Sequence, residues 1–259
     1  MRRFSQWPSI LYGLLIYSFL YIPIFTLIFY SFNDSKLNAV WKGFTLDWYV
    51  KLWSNTNILD AAKVSITVGI TSTIVATMLG TLVAVGMYRY RFRGKGILDA
   101  MLYIPLVMSE IVMGIGLLVL FSMIDMPLGM GTIIIAHVTF CIPFVVVVVN
   151  ARLAGFDKSV EEAAMDLGAN DWHTFRLITL PIIGPAIAAG AMLAFTVSID
   201  DVIVSFFVAG PSSTTLPLQI YSMVRHGVTP EINALSTIML VLTLTLVIVA
   251  QRMLIKKEN

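Results

Sequence analysis

Long apolar segments recur six times along the chain, with short polar or basic stretches between them. A helix needs about 20 apolar residues to cross the hydrocarbon core of a bilayer, and each segment reaches about that length. The pattern predicts an all-α polytopic membrane protein that forms one transmembrane domain over residues 1–259 and contains six transmembrane helices. The predicted spans are residues 10–32, 64–88, 97–124, 132–151, 182–209 and 232–250.

Composition excludes a water-soluble domain and a disordered chain. Hydrophobic residues make up 58% of the sequence and charged residues 12%, whereas soluble domains carry about 25% charged residues. The two longest connections, residues 33–63 and 152–181, are too short for a second folded domain of ordinary size. Any energy-coupling domain is therefore expected on a separate chain.

Lysine and arginine positions predict the orientation, because cytoplasmic loops are enriched in both residues. The most basic turn is Arg89-Tyr90-Arg91-Phe92-Arg93-Gly94-Lys95, which we interpret as a topological anchor and not as a nucleic-acid site. With the N-terminus inside, both termini and the loop 152–181 are cytoplasmic. The cytoplasmic side then collects Arg2, Arg3, Arg89, Arg91, Arg93, Lys95, Arg152, Lys158, Arg176, Arg252, Lys256 and Lys257, and the outside collects Lys36, Lys42, Lys51, Lys63 and Arg225.

Three acidic residues lie deep inside the apolar spans, where no lysine or arginine accompanies them. An ionised carboxylate at the centre of an inserted helix costs about 2.5–3.5 kcal/mol, so it faces the bundle interior or a wet cavity. We predict that Glu110, Asp200 and Asp201 attract a cationic substrate. Ser198 and Ser205 share a helical face with Asp201 and extend this polar path. The alternative is that the acids are solvated near the outer interface or pair with cations of a partner subunit.

Three other side chains in or near the spans have predictions of their own. Asp99 follows Lys95 by four residues and is predicted to form a helix-end ion pair with it. Trp48, beside Asp47 in the first outer loop, belongs either to the interfacial aromatic belt or to a cation–π contact with an ammonium group. His137, inside the fourth span, is predicted to be a core or path-lining residue.

The cytoplasmic loop between the fourth and fifth spans has its own helical signals. Residues 160–167 form an amphipathic pattern with acids at its start, and Gly168 is predicted at the position that ends this helix. A second short helix is predicted over residues 171–178, after which Pro181 opens the fifth span. Two short helices that meet at a glycine would form a compact protrusion able to contact another protein.

This loop resembles the EAA loop of ABC importer permeases. Glu162-Ala163-Ala164, three residues, Gly168, nine residues and then Ile178-Thr179-Leu180-Pro181 follow the order and spacing of that motif. The resemblance implies the type I ABC importer permease fold, in which this loop forms the coupling helix that docks on an ATPase subunit. The coupling residues that it implies are Glu162, Ala163, Ala164, Asp166, Gly168, Asp171 and Pro181.

Further segments resemble the second permease subunits of spermidine/putrescine importers, namely residues 88–95, 198–207, 210–211 and 220–224. This resemblance implies transport of polyamines along a substrate path of Glu110, Asp200, Asp201, Ser198 and Trp48. It also implies a heterodimer with a homologous permease, two copies of an ABC ATPase, a periplasmic polyamine-binding protein and a place in the lipid bilayer of the bacterial inner membrane. Permeases for iron, thiamine and phosphonate are related, so these substrates remain the alternative.

The sequence argues against other classes of protein. It contains no G-x-x-x-x-G-K-[ST] motif, so ATP hydrolysis is expected on a separate chain and this chain is not expected to be an enzyme. No cofactor and no metal are expected, since His137, His173 and His226 are scattered. A proton-coupled secondary transporter would use the same acids as relays, but it leaves the EAA loop unexplained. An intramembrane aspartyl protease needs two facing acids, whereas Asp200 and Asp201 point about 100° apart on one helix.

Overall fold

The computed structural model describes residues 7–35, 40–225 and 227–255, and every regular element in these residues is a helix. Arg2, Arg3, Lys36, Lys256 and Lys257, which enter the orientation prediction, and His226 lie outside the described residues. The helices are α1 (Trp7–Tyr30), α2 (Asp47–Ser54), α3 (Thr56–Arg89), α4 (Lys95–Val107), α5 (Glu110–Met123), α6 (Met130–Ala154), α7 (Ser159–Asp166), α8 (Asp171–Thr174), a π-helical turn (Phe175–Thr179), α9 (Leu180–Asp200), α10 (Ile203–Val208), α11 (Leu216–Arg225) and α12 (Pro230–Ile255).

Among the described residues, four helices are individually long and apolar enough to cross a membrane. They are Ile10–Tyr30 within α1, all of α3, all of α6 and a continuous helix, Asp171–Asp200, formed by α8, the π-helical turn and α9. The pair α4 and α5 adds a fifth crossing when it is counted as one broken span. Helix α12 coincides with the sixth predicted segment. The predicted all-α polytopic architecture is therefore confirmed.

The third predicted span is broken in the middle. Helix α4 ends before Met108, α5 begins at Glu110, and the two axes differ in direction by 113°. Met108 and Ser109 both have extended backbone. Pro105 lies in the last turn of α4 and has no N–H to donate, which weakens the helix just before the break. A single continuous helix over residues 97–124 was predicted, and this prediction is wrong because the chain restarts at Glu110.

The fifth predicted span differs at both ends. Helix α9 ends at Asp200, and the extended backbone of Asp201 separates it from the short helix α10. At the other end, Pro181 does not open a new helix, because the π-helical turn joins α8 to α9 without a gap. The Leu180 N–H bonds to the Phe175 carbonyl oxygen, five residues back, and this wider turn carries the helix onward to the proline.

The basic turn between α3 and α4 folds back on the end of α3. Gly94 precedes α4 with φ +95, a left-handed conformation that glycine adopts without strain. Lys95 Nζ donates a hydrogen bond to the carbonyl oxygen of Met87. The predicted ion pair between Lys95 and Asp99 is therefore wrong, because the ammonium group turns to the backbone of the preceding helix.

The described residues fall into two compact units. One contains the segments up to Leu59 and from Ile220 to Leu244, and the other contains Asp60 to Gln219 and the chain from Thr245 onward. In the first unit, polar contacts join the end of α1 to α2. Tyr49 Oη lies 2.7 Å from Ser31 Oγ, and further along α1 large apolar side chains are exposed, as on a surface that lipid covers.

Small residues let the helices of the second unit approach closely. Helix α6 packs along α9, and a Cβ atom at Gly190 would lie 3.3 Å from Val145 Cα. Gly80 of α3 meets the same fully buried valine, and a Cβ atom there would lie 2.8 Å from Val145 Cβ. Packing of this kind stabilises helix pairs in lipid, where the hydrophobic effect between helices is absent.

Candidate functional site

A cavity of about 440 Å³ lies in the second unit, beside the two breaks in the spans. The break between α4 and α5 contributes Met108 and Glu110, and the break between α9 and α10 contributes Asp200, Asp201 and Val202. Apolar side chains, among them Phe140 and Phe144 of α6, form the rest of the wall. No lysine or arginine is among the described residues that line it. The three acids predicted from the sequence therefore share one cavity.

Two of these acids have free carboxylates. Glu110 and Asp200 are both exposed, and neither makes a side-chain hydrogen bond or an ion pair in the described part of the chain. Glu110 is the first residue of α5, where the positive end of the helix dipole stabilises a negative charge. Asp200 is the last residue of α9. Both groups are available to a cation that enters the cavity.

The third acid, Asp201, is already bonded inside the protein. Its side chain is only 5% exposed. Oδ1 accepts the backbone N–H of Val204 at 3.1 Å, and Oδ2 accepts that of Ser205 at 2.8 Å, so the carboxylate caps the start of α10. His137 Nε2 lies 3.4 Å from Oδ2. The two neighbouring aspartates thus have different surroundings.

His137 connects three helices through buried serines. Its Nδ1 lies 2.7 Å from Ser198 Oγ, its Nε2 lies 3.1 Å from Ser205 Oγ, and Ser198 Oγ lies 3.0 Å from Ser72 Oγ of α3. Ser198, predicted as a path residue, is buried in this cluster and does not line the cavity. The sequence placed Ser198, Asp201 and Ser205 on one face, but it did not show that His137 joins them.

Trp48 makes its contacts within the first unit. Its Nε1 donates a hydrogen bond to the carbonyl oxygen of Asn33 at 2.8 Å. The ammonium group of Lys51 lies 4.3 Å from the centre of the ring, at a distance that allows a cation–π interaction. The ring of Trp48, a predicted path residue, therefore already contacts a cation of the protein itself, Lys51.

The loop that follows α6 begins with a capped helix, α7. Ahead of α7, the Ser159 N–H donates to Asp157 Oδ1 at 3.0 Å, and this hydrogen bond lowers the pKa of the Asp157 carboxyl. At the other end, Gly168 has φ +89 and its N–H bonds to the Met165 carbonyl, while the Ala169 N–H bonds to the Ala164 carbonyl. This pair of bonds is the Schellman motif, so the predicted helix end at Gly168 is confirmed.

Most of the predicted coupling residues are exposed, and several of them lie in α7 or in the turn that ends it. Leu167 is 91% exposed and Trp172 is 62% exposed, so the loop presents large apolar side chains to its surroundings. Exposed apolar groups of this size beside polar ones are typical of a surface that binds another protein. Of the predicted residues, Ala164 is buried, and the exposed ones are Glu162, Ala163, Asp166, Gly168, Asp171 and Pro181.

A partly buried ion pair joins this loop to the end of α3. Arg89 Nη2 lies 2.6 Å from Glu161 Oε1 and donates to Thr179 Oγ1 at 3.0 Å. The Thr179 hydroxyl also donates to the Glu161 carboxylate, and Arg89 Nη1 lies 3.4 Å from the carbonyl oxygen of Asp171. Sequence reasoning assigned Arg89 to the basic turn and missed this contact. The sequence features that could have indicated this contact were the consecutive Glu161 and Glu162 and the position of Arg89 at the end of a predicted helix.

Comparison with known proteins gives several similar chains. Residues 76–257 match the family described as binding-protein-dependent transport system inner membrane component. The spermidine/putrescine transport system permease protein PotC of Escherichia coli K12 is 52% identical over 236 residues, which cover 91% of this chain and 89% of that protein. The putrescine transport system permease protein PotI of the same strain is 45% identical over 243 residues, covering 91% and 86%.

A solved structure has a similar fold. One chain in the crystal structure of a bacterial ABC transporter that imports the acidic polysaccharide alginate aligns with a TM-score of 0.76 at 20% identity. The alignment covers 97% of this chain and 96% of that chain. The alginate transporter has also been solved with a pentasaccharide-bound periplasmic protein, and there the TM-score is 0.73. At this identity the likeness concerns the fold alone.

Proposed function

The chain belongs to the family of binding-protein-dependent transport system inner membrane components, and on that premise we propose that it is a permease subunit of an ATP-driven polyamine importer. The resemblance to ABC importer permeases noted in the sequence and the predicted fold class are both confirmed. The chain is accordingly a multi-pass protein of the inner membrane. Both termini are proposed to lie in the cytoplasm, in keeping with the lysine and arginine pattern.

The observation that carries the substrate assignment is the acidic cavity. Spermidine and putrescine are flexible alkyl chains with ammonium groups, and the cavity offers the free carboxylates of Glu110 and Asp200 beside apolar walls. An ammonium group that leaves water gains charge-assisted hydrogen bonds from such carboxylates. Binding is expected to be weak, because a path must also release its substrate. The names of the two relatives, a spermidine/putrescine permease and a putrescine permease, support the same substrates here.

The proposed partners follow from the family and from the cytoplasmic loop. A homologous permease completes the path as a heterodimer, a periplasmic protein delivers the polyamine, and two copies of an ATPase supply energy. Hydrolysis is assigned to those separate chains because this one lacks the phosphate-binding motif. Helix α7 and the turn at Gly168 form the coupling surface, and the exposed Leu167 and Trp172 suit burial against the ATPase.

The test is a competition assay on the complex reconstituted in proteoliposomes with its ATPase and its periplasmic binding protein. Uptake of radiolabelled spermidine and putrescine is measured with and without internal ATP, and unlabelled thiamine, ferric ion and phosphonates serve as competitors. The proposal expects ATP-dependent polyamine uptake that only polyamines inhibit. Import of one of the other substrates without polyamine uptake would assign the chain to a related permease. Uptake driven by a proton gradient without ATP would indicate a secondary transporter.

Gly168→Val is expected to lower polyamine uptake and ATPase association together, by several-fold. The left-handed conformation at Gly168 costs about 1–2 kcal/mol for a residue with a Cβ atom, and a β-branched side chain stiffens the turn further. A Cβ atom there would meet nothing within 4 Å, so the effect comes from the backbone alone. The measurement is ATPase recovered by pulldown of the tagged permease, alongside uptake.

The matched control is Gly168→Asn, because asparagine adopts the left-handed conformation more readily than other residues with a side chain. It is expected to retain most of the ATPase and most of the uptake. Equal losses in the valine and asparagine variants would show that the turn geometry is not what matters. Full function in both variants would remove the loop from the coupling mechanism.

A further inference from the structure

The break between α9 and α10 is held by the side chain of Asp201 and by one side chain from another helix. Asp201 caps α10 with both of its carboxylate oxygens, and His137 of α6 approaches the same carboxylate from the side. The imidazole is itself fixed at its opposite edge by Ser198, 2.7 Å from Nδ1. His137 is 1% exposed, so the contacts of its ring are shielded from water.

The two aspartates at this break differ in exposure and in their hydrogen-bond partners. Asp201 is 5% exposed and has its oxygens engaged by two backbone amides and by His137. Asp200, its immediate neighbour, is exposed and lines the cavity with Glu110. Because the two residues share one peptide unit, the direction of the Asp200 side chain depends on how Asp201 is held.

We propose that His137 is a positioning residue of the polyamine path. It holds Asp201 in the cap of α10, so that Asp200 presents its carboxylate to the cavity opposite Glu110. The inference rests on the proposed function and deepens it. It assigns the ammonium groups of the substrate to Asp200 and Glu110, and it gives Asp201 a role within the protein.

The two nitrogens of the His137 ring contact different groups. A buried carboxylate is costly unless it is paired and hydrogen-bonded, and His137 brings its Nε2 edge to 3.4 Å from Asp201 Oδ2 and 3.1 Å from Ser205 Oγ, beside the two amides of α10. Ser198 and Ser72 continue the cluster from the Nδ1 edge, where the Ser72 hydroxyl donates to the carbonyl oxygen of Val68 at 2.6 Å. Only the Nε2 edge faces Asp201, so a substitute for the histidine must supply a donor there.

Replacement of His137 by glutamine or by asparagine distinguishes the roles of the two ring nitrogens. The amide nitrogen of glutamine reaches about as far as Nε2, and that of asparagine reaches about as far as Nδ1. His137→Gln is therefore expected to keep at least half of the wild-type spermidine uptake. His137→Asn and His137→Ala are expected to lose at least fivefold, measured on complexes of unchanged subunit composition. Asparagine performing as well as glutamine would overturn the proposal.

A second measurement follows the position of residue 200 without any substrate. Asp200→Cys is labelled with a cationic thiol reagent in the intact complex, with and without the histidine substitutions. The native Cys141 is 0% exposed and should stay unlabelled. The labelling rate is expected to remain high with His137→Gln and to fall at least fivefold with His137→Asn, while Glu110→Cys labels at one rate in all backgrounds. Unchanged labelling of position 200 in every variant would refute the positioning role.

The outcomes separate this inference from the proposed function. If the wild-type complex imports no polyamine, the proposed function fails, and the labelling experiment still decides whether His137 positions residue 200. If polyamines are imported and the glutamine and asparagine variants behave alike, the inference alone fails. In an Asp201→Asn background, His137→Ala is expected to cause no further loss of uptake, because the histidine acts through that carboxylate. A further loss of uptake in that background would contradict the positioning role of His137.

Discussion

The double substitution Glu110→Gln and Asp200→Asn is expected to lower polyamine uptake by at least about a hundredfold. Each hydrogen bond to a charged group contributes about 1.5–3 kcal/mol, and about 1.4 kcal/mol corresponds to a factor of ten. Both carboxylates face one cavity of about 440 Å³ and are free of internal partners in the described residues, so their charge is available to the substrate. The measurement is the initial rate of ATP-dependent spermidine uptake in proteoliposomes.

Asp99→Asn is the matched control for that experiment. Asp99 belongs to α4, in the same broken span as Glu110, but it does not line the cavity. Its replacement should leave uptake close to the wild-type rate, because the charge that it removes is not in the path. Near-normal uptake in the double variant, with the complex intact on size exclusion, would exclude these two carboxylates as ligands of the cation.

Arg89→Ala is expected to uncouple transport from ATP hydrolysis. The side chain is 15% exposed and its partner Glu161 is 9% exposed, so removing the guanidinium leaves a largely buried carboxylate without a counter-charge. Breaking such a pair costs about 3–5 kcal/mol, enough to displace α7 from the end of α3. We expect at least a tenfold loss of uptake and of polyamine-stimulated ATPase activity, measured on the same preparation.

Two control variants distinguish loss of the Arg89 charge from loss of packing between Arg89 and Glu161. Arg91→Ala removes an exposed arginine from the same basic turn and is expected to have little effect. The paired replacement Arg89→Met with Glu161→Met removes both charges and keeps apolar packing, which is often neutral for stability. It should recover more ATPase coupling than Arg89→Ala. Wild-type coupling in Arg89→Ala itself would show that the ion pair does not transmit movement between the loop and α3.

The architecture could be predicted from the sequence because it depends on local properties. The length and apolar character of a segment decide whether it crosses a bilayer. The alternation of such segments with basic turns is visible in the sequence and requires no knowledge of contacts between helices. The end of α7 is similarly local, since the Schellman motif at Gly168 uses only neighbouring backbone groups. The three acids in the apolar spans, Glu110, Asp200 and Asp201, were also evident, because an unpaired carboxylate in such a span is costly and rare.

The tertiary structure alone decided the surroundings of each of those acids. The breaks at Met108 and at Asp201 interrupt spans that look continuous in sequence, and they bring Glu110 and Asp200 to one cavity. Whether a helix breaks there depends on how well the packed neighbours satisfy the freed backbone groups, and a local signal such as Pro105 does not decide it alone.

The partners of the buried charges were likewise out of reach of the sequence. Glu161 pairs with an arginine 72 positions away, and His137 reaches Ser198 61 positions away. Such pairs form only where packed helices bring two distant side chains within hydrogen-bond distance. The sequence therefore determined which residues are polar in an apolar setting. The packing of the helices determined which of them are engaged internally and which remain free to meet a substrate.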